Sequence, residues 1–355
     1  LKPQDFRLLS EFGPIDGANV TDWPISYDDL EPYYTQVEHV VGISGRFYHH
    51  PHAEPRSTPD FPYPPTAEHP ISRIIDTACS QLDLHALPTP RAILTRKLSE
   101  QRRACEYSGF CGSYGCATGA KGSSREALLN DALATGKCRI LDRAKVLRLL
   151  SDQHGKVTAA EYIDAGGIKH RITANIFVVA CQAVETARLL LLSRGPKHPH
   201  GLGNNHGQVG RNLVFSAGGS GYGDFVYQDF SPELAQQLKQ RGPFVNRGLQ
   251  DWYTIDDPVL GRVKGGTVDF LLRHPNAILR ADNLKWDDDD KLVWGSAFKQ
   301  RLQQTFTRAQ SLRYEVFCDW LPTDDCFVTL DDQVKDKWDT PVSYTHLTLP
   351  TKRIV

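Results

Sequence analysis

Residues 176–193 read IFVVACQAVETARLLLLS, and this stretch decides the fold class of the chain. Its first part, Ile176–Ala180, is a short apolar run typical of a buried strand. The run Val184–Leu192 follows almost at once and indicates a helix. A buried strand that enters a helix through a tight turn is the usual construction of an α/β nucleotide site. The stretch therefore predicts part of an α/β layer with a nucleotide site at the turn.

The residues just before this stretch predict a meander of three short strands. The strands are expected at Ala144–Leu150, Val157–Asp164 and Ile168–Thr173, because turn sequences separate them. Those turns are His154-Gly155 and residues 165–167, which read AGG. A meander inserted here is of the kind seen in flavin-binding sheets.

Helices are predicted nearer the N-terminus. Ser26 and Asp29 have the spacing of a capping box and begin a helix within Trp23–Ser44. A second helix is expected at Ile71–Leu82, where apolar residues recur on one face, and a third is expected to begin at Ser123.

After Gly195 the pattern changes to longer strands. They are expected at Val214–Tyr227, Val245–Thr254, Val263–Leu272 and Leu312–Cys318, with a helix at about Ser296–Ala309. This part of the chain predicts a second domain, built on a sheet with helices packed against it. The predicted fold class of the whole chain is therefore a combination of α/β and α+β architecture.

The composition excludes several classes of protein. Of the 355 residues, 40% are hydrophobic and 23% are charged, which is near globular averages and excludes global disorder. The formal net charge of -1 gives no electrostatic case for binding nucleic acid or an acidic membrane surface. No apolar run approaches the ~18 residues of a spanning helix, so no membrane span is expected. The chain begins with Leu1 and contains no Met, which indicates a piece of a longer protein.

Five segments, in this order along the chain, resemble the glucose-methanol-choline (GMC) oxidoreductases, particularly the branch of sugar and gluconate dehydrogenases. The segments are DWPISYDDLEPYYTQVEHVVGISG (22–45), GFCGSYGCATGAKGSS (109–124), IFVVACQAVETARLLLLS (176–193), GLGNNHGQVGRNL (201–213) and VTLDDQVKDKWDTPV (328–342). The resemblance covers nearly the whole chain before its last residues.

The resemblance implies an FAD-dependent enzyme that oxidises the CH–OH group of an alcohol, sugar or polyol by passing a hydride to the flavin. It implies part of a flavin-binding Rossmann-like domain at 1–212, whose dinucleotide motif would precede the chain. A substrate domain with an antiparallel sheet packed by helices is expected at 213–319, and the start of the family's C-terminal region at 320–341. The catalytic His pair, or His and Asn, would lie beyond the chain end, so no catalytic residue is assigned and the fragment alone is expected to be inactive.

The resemblance also implies which residues contact FAD. Val146 lies on the strand whose backbone touches the adenine in the family. Ala180, Cys181 and Gln182 form the strand-to-helix turn, where the family has small residues, commonly Ala-Gly, because the backbone approaches the cofactor closely. Gln182 departs from that Gly. Glu185 either contacts the cofactor or complements the dipole of the helix.

Three cysteines, Cys105, Cys111 and Cys116, have three interpretations. Some dehydrogenases of this branch hold a three-iron cluster with three thiolates at similar spacing, and such a cluster would pass electrons to a cytochrome. Here the second gap is one residue longer than in that pattern. The alternatives are a disulfide with one spare thiol, or buried thiols in a loop that faces the cofactor.

Two other patterns are ambiguous. His49, His50 and His52 look like a metal-binding tract, but a solvated loop is the favoured interpretation. Residues 342–351 read VSYTHLTLPT, which resembles the in-frame translation of a sequencing adapter, so 342–355 is expected to be a non-native tail. A genuine edge strand is the alternative for these residues.

The sequence leaves the biological setting open. The expected partners are a small alcohol or sugar substrate and a cytochrome or a small partner subunit. The location could be the bacterial cytoplasm or the periplasm, with export through the partner subunit. Alternative functions are an iron–sulfur electron-transfer protein and a non-catalytic relative that binds flavin.

Overall fold

The computed structural model describes residues 1–111, 115–272 and 276–347. Its α-helices are α1 (Leu8–Phe12), α2 (Tyr27–Val41), α3 (Ile71–Gln81), α4 (Asn130–Ala134), α5 (Ala183–Leu192), α6 (Pro232–Leu238), α7 (Ala277–Asn283) and α8 (Gly295–Thr307). Its strands are β1 (Ala86–Pro88), β2 (Lys145–Ser151), β3 (Val157–Ile163), β4 (Lys169–Thr173), β5 (Ser216–Val226), β6 (Arg247–Leu249), β7 (Thr254–Asp257), β8 (Gly261–Lys264), β9 (Gly266–Leu272), β10 (Ala309–Asp319), β11 (Phe327–Lys335) and β12 (Pro341–His346). Short 3-10 helices cover Pro3–Phe6 and Tyr227–Asp229, and a π-helical turn covers Arg125–Leu129.

The chain divides into two compact units. We call the first the sheet unit, which contains residues 1–12, 22–138 and 216–319. We call the second the meander unit, which contains residues 13–21 and 139–215 and the described residues from 320 onward. Each unit is assembled from separate stretches, whereas the domains predicted at 1–212, 213–319, 320–341 and 342–355 are contiguous. Those domain bounds stay predictions.

The sheet unit is built on a five-stranded sheet with the order β1-β6-β9-β10-β5. Every neighbouring pair of strands in it is antiparallel. One face packs on α3 and α6, and the buried core consists of Ile71, Ile75, Cys79, Tyr227, Ala235, Leu238, Val245 and Leu249. This arrangement agrees with the predicted antiparallel sheet packed by helices.

The core of the sheet unit provides a test of its packing. Ile71→Val is expected to destabilise the protein by about 1 kcal/mol, because Ile71 is completely buried and the change removes one methyl group. Ile278→Val makes the same chemical change on α7, where the side chain is 65% exposed, and should be near neutral. Urea denaturation of both variants checks this expectation, and equal losses would contradict the assignment of Ile71 to the core.

The meander unit contains two small antiparallel sheets and a helix. Strands β2, β3 and β4 form one sheet in chain order, and β11 pairs with β12 in the other. Helix α5 lies along β2, where the Leu149 backbone N–H donates a hydrogen bond to Ser193 Oγ at 2.9 Å. The three meander strands and the helix after Gln182 are confirmed within one or two residues of their predicted bounds.

The predicted helices of the N-terminal region are also confirmed. Ser26 accepts a hydrogen bond from the Asp29 N–H, and both halves of the capping box are present at the start of α2. Gly42 ends α2 in the left-handed conformation, with φ of 83°. Helix α3 begins at Ile71 as predicted. The helix after Ser123 begins as the π-helical turn and continues as α4.

The predicted strand Ile176–Ala180 is wrong. A strand needs a neighbour to satisfy its backbone N–H and C=O groups, and none of the described residues pairs with this segment. Ile176 is 80% exposed and Val178 is 85% exposed. An apolar run predicts burial only where a partner covers it, and the run's own sequence does not specify that partner.

Two other predicted strands are shorter than expected. Of Val245–Thr254 only β6 is a strand, because a turn with a 2.9 Å hydrogen bond from the Tyr253 N–H to the Gln250 carbonyl follows it. Gly265 divides Val263–Leu272 into β8 and β9, since its N–H donates to the Tyr253 carbonyl at 3.1 Å. The first of these hydrogen bonds closes a turn and the second joins two separate segments, and alternation along one strand reveals neither.

The C-terminal segment forms an edge strand in the structure, since β12 pairs antiparallel with β11. The last residues, 348–355, lie outside the described chain. The non-native origin of 342–355 stays a prediction. Within the described residues, no helix is both long enough and apolar enough to cross a bilayer.

Candidate functional site

The turn that precedes α5 has an unusual backbone at Gln182. This residue has φ of 73° and ψ of 163° and is the N-cap of the helix. This region of backbone space is essentially restricted to glycine, because a Cβ atom there costs about 1–3 kcal/mol. The Gln182 side chain offsets part of that cost, since its Oε1 accepts hydrogen bonds from the N–H groups of Val184 at 3.1 Å and Glu185 at 3.4 Å. The conformation at Gln182 is therefore the one that the Gly of the resembling family would adopt without strain.

The residues around Gln182 present an open surface. Ala180, Cys181, Gln182 and Ala183 are all exposed. The Cys181 backbone N–H donates to Thr186 Oγ1 at 3.1 Å, which holds the turn against the first turn of α5. A small residue at 180 and an exposed backbone leave room for a ligand to approach closely.

Val146 lies at the start of β2, which is an edge strand of the three-stranded sheet. It is 37% exposed and pairs with Tyr162 on β3. The register shifts between Val146 and Arg148, so a bulge follows Val146 directly. Bulges of this kind re-aim side chains and interrupt pairing at binding sites.

An ion pair brings the two parts of the predicted site together. Lys145, next to Val146, lies with its Nζ 3.1 Å from Glu185 Oε2 in the first turn of α5. Val146 and the turn at Ala180–Gln182 therefore lie at the same end of the meander unit. All five residues that the resemblance singled out for FAD, namely Val146, Ala180, Cys181, Gln182 and Glu185, belong to this end.

Glu185 is engaged within the protein. Burial alone would raise the pKa of its carboxyl, but the hydrogen bond and charge of Lys145 and the charge of Arg188 lower it below the ordinary value. The Arg188 guanidinium lies 3.2 Å from Glu185 Oε2. Glu185 is thus a carboxylate at neutral pH that joins β2 to α5, and it also lies in the first helical turn, where a negative charge is favourable.

The backbone at Gln182 can be tested by substitution. Gln182→Gly is expected to stabilise the protein by about 1 kcal/mol, because relief of about 1–3 kcal/mol of strain exceeds the loss of the cap and the added freedom of the unfolded chain. Gln182→Ala keeps the strained backbone and loses the cap, so it should destabilise by about 1 kcal/mol. Denaturation of the two variants in parallel gives the answer. If alanine is tolerated as well as glycine, the strain does not exist.

The three clustered cysteines are free thiols, and each is partly buried. The structure contains no disulfide among these three described residues, and the three interpretations of the cluster stay predictions. Burial raises the pKa of the Cys105 thiol, against a hydrogen bond from the Tyr107 backbone, and the nearby Cys111 and Cys116 add smaller contributions in the same direction as burial. Burial would also raise the pKa of Cys116, but hydrogen bonds with Thr118 and the surrounding backbone outweigh it and lower the pKa. The thiols are near enough to influence one another, while residues 112–114 between them lie outside the described chain.

The five-stranded sheet carries charged side chains that the sequence analysis did not single out. Asp269 on β9 lies directly across from Glu315 on β10. Burial, with a smaller contribution from Glu315, raises the pKa of Asp269, although the positive charge of Arg91 opposes this. Glu315 pairs with Arg313 at 2.7 Å. The signal in the sequence was a lone carboxylate inside an otherwise apolar run, GTVDFLL (266–272).

Comparison with known proteins identifies the family. The family model described as GMC oxidoreductase matches residues 19–216, which is more than half of the chain. The chain is 33% identical over 257 residues to a 6'''-hydroxyparomomycin C oxidase from Streptomyces lividus, covering 72% of this chain and 46% of that protein. It is 35% identical over 214 residues to a 2-methyl-1,2-propanediol dehydrogenase from Mycolicibacterium austroafricanum, covering 60% of this chain and 37% of that protein.

A third relative is the fructose dehydrogenase large subunit of Gluconobacter japonicus, which is 30% identical over 218 residues. That match covers 60% of this chain and 37% of the relative. The chain thus spans about half or less of the length of these curated relatives. The region that the family model matches, 19–216, contains the first four of the five segments that carried the resemblance. The chain belongs to the GMC oxidoreductase family.

Proposed function

We propose that this chain is part of an FAD-dependent oxidoreductase that removes a hydride from the CH–OH carbon of an alcohol, sugar or polyol. The observation that carries the proposal is the turn before α5, where Gln182 holds a glycine-like backbone beside the exposed Ala180 and Cys181. Bound FAD would supply the electron acceptor for the hydride. Membership of the family and the names of the relatives, which are oxidases and dehydrogenases, support this class of reaction.

The residues present fit the adenosine part of FAD. Val146 begins an edge strand, and the backbone of an edge strand can pair with the edge of an adenine as another strand would. Ala180, Cys181 and Gln182 would accept the cofactor against their exposed backbone. Glu185 would act mainly by holding β2 and α5 together through Lys145, since its carboxylate is already paired. The cofactor-binding roles of these residues are part of the proposal.

The proposal predicts a loss of flavin when the turn is filled. In a full-length protein that contains residues 1–341 of this chain, Ala180→Trp should weaken FAD binding at least about ten-fold, because an indole would occupy the space of the approaching cofactor. Ala174→Trp is the matched control, since Ala174 is equally exposed and lies outside the turn. Flavin absorbance of the purified proteins and FAD titration of the apoproteins measure the effect.

The same full-length protein tests the reaction. It should oxidise an alcohol or a sugar with a dye as electron acceptor, whereas the 355-residue chain alone should not, because the family's catalytic His residues are expected outside it. A full-length protein that binds no flavin would refute the FAD proposal. Turnover by the 355-residue chain alone would refute the assignment of the catalytic residues to another part of the protein.

We further propose that Cys105, Cys111 and Cys116 bind an iron–sulfur cluster. The closeness of the thiols supports it, since Cys111 and Cys116 lie near enough to Cys105 to contribute to the shift of its pKa. Anaerobically purified full-length protein should contain iron and show a brown colour that Cys111→Ser abolishes. If the anaerobically purified protein contains no iron, the three thiols bind no cluster and are ordinary side chains of the loop.

A further inference from the structure

A second group of chemically active side chains lies in the sheet unit, outside the proposed flavin site. His50, His85 and Asp251 each offer one ligand atom, and these atoms all lie within 4.8 Å of one another. The three residues come from separate segments: a loop after α2, the residue before β1, and the turn after β6. No sequence motif links them, so only the fold brings them together.

The carboxylate is held firmly in this group. Asp251 Oδ1 lies 2.7 Å from His85 Nδ1, and the His85 backbone N–H donates to both oxygens of Asp251, at 3.2 and 3.3 Å. The Asp251 side chain is only 14% exposed, whereas that of His85 is 61% exposed. The carboxylate is therefore an anchored ligand, and the exposed His85 leaves a path for an ion from solvent.

His50 completes the group from the other side. Its ring centre lies 5.3 Å from that of His85, and the two rings meet edge to face. One ring nitrogen, Nδ1, accepts a 3.1 Å hydrogen bond from the His52 backbone N–H. An ion at either ring nitrogen replaces this hydrogen bond, because at Nδ1 it takes the lone pair and at Nε2 it moves the ring proton to Nδ1. Either route leaves the loop in place.

The donor set suits one kind of ion. Two imidazoles and one carboxylate are typical ligands of Zn²⁺ and of other imidazole-preferring divalent transition metals, with a water molecule in the fourth position. With metal–ligand bonds of about 2.1 Å, the ligand atoms of a tetrahedral site are roughly 3.4 Å apart. The present separations are at most 4.8 Å, so His50 needs to approach by up to roughly 1.4 Å. His85 Nδ1 and Asp251 Oδ1, now 2.7 Å apart, need to move slightly apart, which the exposed His85 ring allows. The ion would replace the proton that His85 and Asp251 now share.

One nearby charge opposes a cation. The Lys2 ammonium donates to Gln250 Oε1 at 2.9 Å and to the His52 carbonyl, beside two of the ligands. Glu54 lies 3.5 Å from the Lys2 ammonium and offsets part of its charge. His49 of the same tract meets Phe47 edge to face, with ring centres 5.3 Å apart, and is not part of the group.

We propose that His50, His85 and Asp251 bind one divalent transition-metal ion, of which Zn²⁺ is the representative. The ion would join the loop that contains His50 to the β1–β6 edge of the sheet. This proposal departs from the solvated-loop interpretation of the histidine tract at His50 and keeps it for His49. The site is independent of the proposed flavin chemistry.

The test is zinc binding by the purified chain after removal of metals with a chelator. Isothermal titration with ZnCl₂ should give a site with a stoichiometry of one that His85→Gln weakens at least about 100-fold. His85→Gln is the decisive variant, because its side chain is exposed and its replacement should leave the fold intact, which circular dichroism verifies. Asp251→Asn should weaken the same site. Co²⁺ should give visible d–d absorption that both variants remove.

Two controls separate this site from others. His49→Gln should leave zinc binding unchanged, since His49 is a histidine of the same tract outside the group. Cys111→Ser should also leave this site unchanged, because thiols are the competing zinc ligands of the chain. The proposal is overturned if the wild-type chain binds no zinc, if His85→Gln binds it as tightly as the wild type, or if Cys111→Ser removes the bound ion.

Discussion

Replacing Arg188 with methionine is expected to destabilise the meander unit by about 3–5 kcal/mol. Arg188 on α5 is only 5% exposed. Its guanidinium lies 2.7 Å from Asp336 Oδ2 and donates to the Pro341 carbonyl at 2.7 Å. Methionine fills much of the same volume, so the loss would come from an uncompensated carboxylate at Asp336, whose side chain is only 15% exposed, and from unpaired carbonyl groups.

A control variant and a second substitution show whether the unpaired charge of Asp336 causes the loss of stability. Lys335→Ala removes a 2.8 Å ion pair with Asp339 in the same hairpin, where the two side chains are 46% and 84% exposed, and should cost at most about 1 kcal/mol. Adding Asp336→Asn to Arg188→Met should recover part of the loss, since it removes the uncompensated charge. Thermal and urea denaturation of the four proteins measure these differences. If Asp336→Asn adds to the damage instead, the charge on Asp336 is not the cause.

The ion pair between Arg188 and Asp336 also predicts how the stability of the protein depends on pH. Burial would raise the pKa of Asp336, but hydrogen bonds from Arg188, Thr340 and the backbone lower it well below its ordinary value of 3.8. A carboxyl with a lowered pKa in the folded state stabilises the protein above the unfolded pKa, and this stabilisation is lost as the pH falls below 3.8 toward the folded value. Arg188→Met should therefore lose less stability on acidification than the wild type.

Arg188 also illustrates what the sequence could and could not predict. The helix after Gln182 was predicted from its apolar run, and the run does bury Ala187 and Leu189. Arg188 lies between them and is buried as well, because its partner Asp336 comes from a hairpin nearly 150 positions later. A charged residue inside an apolar run looks like an exposed position unless the partner is known. The local pattern therefore predicted the helix but not its ion pair.

Of the two candidate sites, one could be located from the sequence and the other could not. Gln182 and its neighbours could be located from the sequence, because a strand-like run, a turn and a helix follow one another within a few residues. The sequence could not predict that Ile176–Ala180 lacks a partner strand among the described residues, since pairing is not a local property. His50 was visible as part of a histidine tract, whereas His85 and Asp251 join it only through the turns that flank β1 and β6. A site whose residues lie within one turn can be predicted from the sequence, whereas a site whose residues come from three separate segments cannot.

Replacing Arg247 with alanine should destabilise the sheet unit by about 2–3 kcal/mol, because the buried guanidinium loses its charged hydrogen bonds, whereas its partners Glu68 and Asp76 are 36% and 41% exposed and can be solvated. Arg247 on β6 is 7% exposed. It pairs with two carboxylates in bidentate fashion, Glu68 at 2.8 and 3.1 Å and Asp76 at 2.6 and 2.9 Å. Hydrogen bonds to Asp76 and Glu68 outweigh burial and raise the pKa of Arg247 above its ordinary value, so the guanidinium is always charged.

The geometry of these contacts explains why no other residue can substitute. Arg247 spans β6, α3 through Asp76, and the segment before α3 through Glu68, so one side chain ties three parts of the unit together. A planar guanidinium can serve two carboxylates at once, whereas a lysine ammonium is a compact charge that lacks this fork. Arg247→Lys should therefore lose about half as much stability as Arg247→Ala, and both losses should be larger than that of any exposed arginine.

Arg262→Ala is the matched control for Arg247→Ala. Arg262 is an arginine of the same unit whose side chain is 52% exposed, and it lies 3.6 Å from Glu11. An exposed pair of this kind contributes at most about 1 kcal/mol. Without Arg247, Glu68 and Asp76 would repel each other across the emptied space, so Asp76→Asn should recover part of the stability of Arg247→Ala. Equal losses for Arg247→Ala and Arg262→Ala in urea denaturation would mean that the ion pairs of the buried Arg247 are no stronger than a surface pair. The apolar core of α3 and the sheet would then hold the unit together without them.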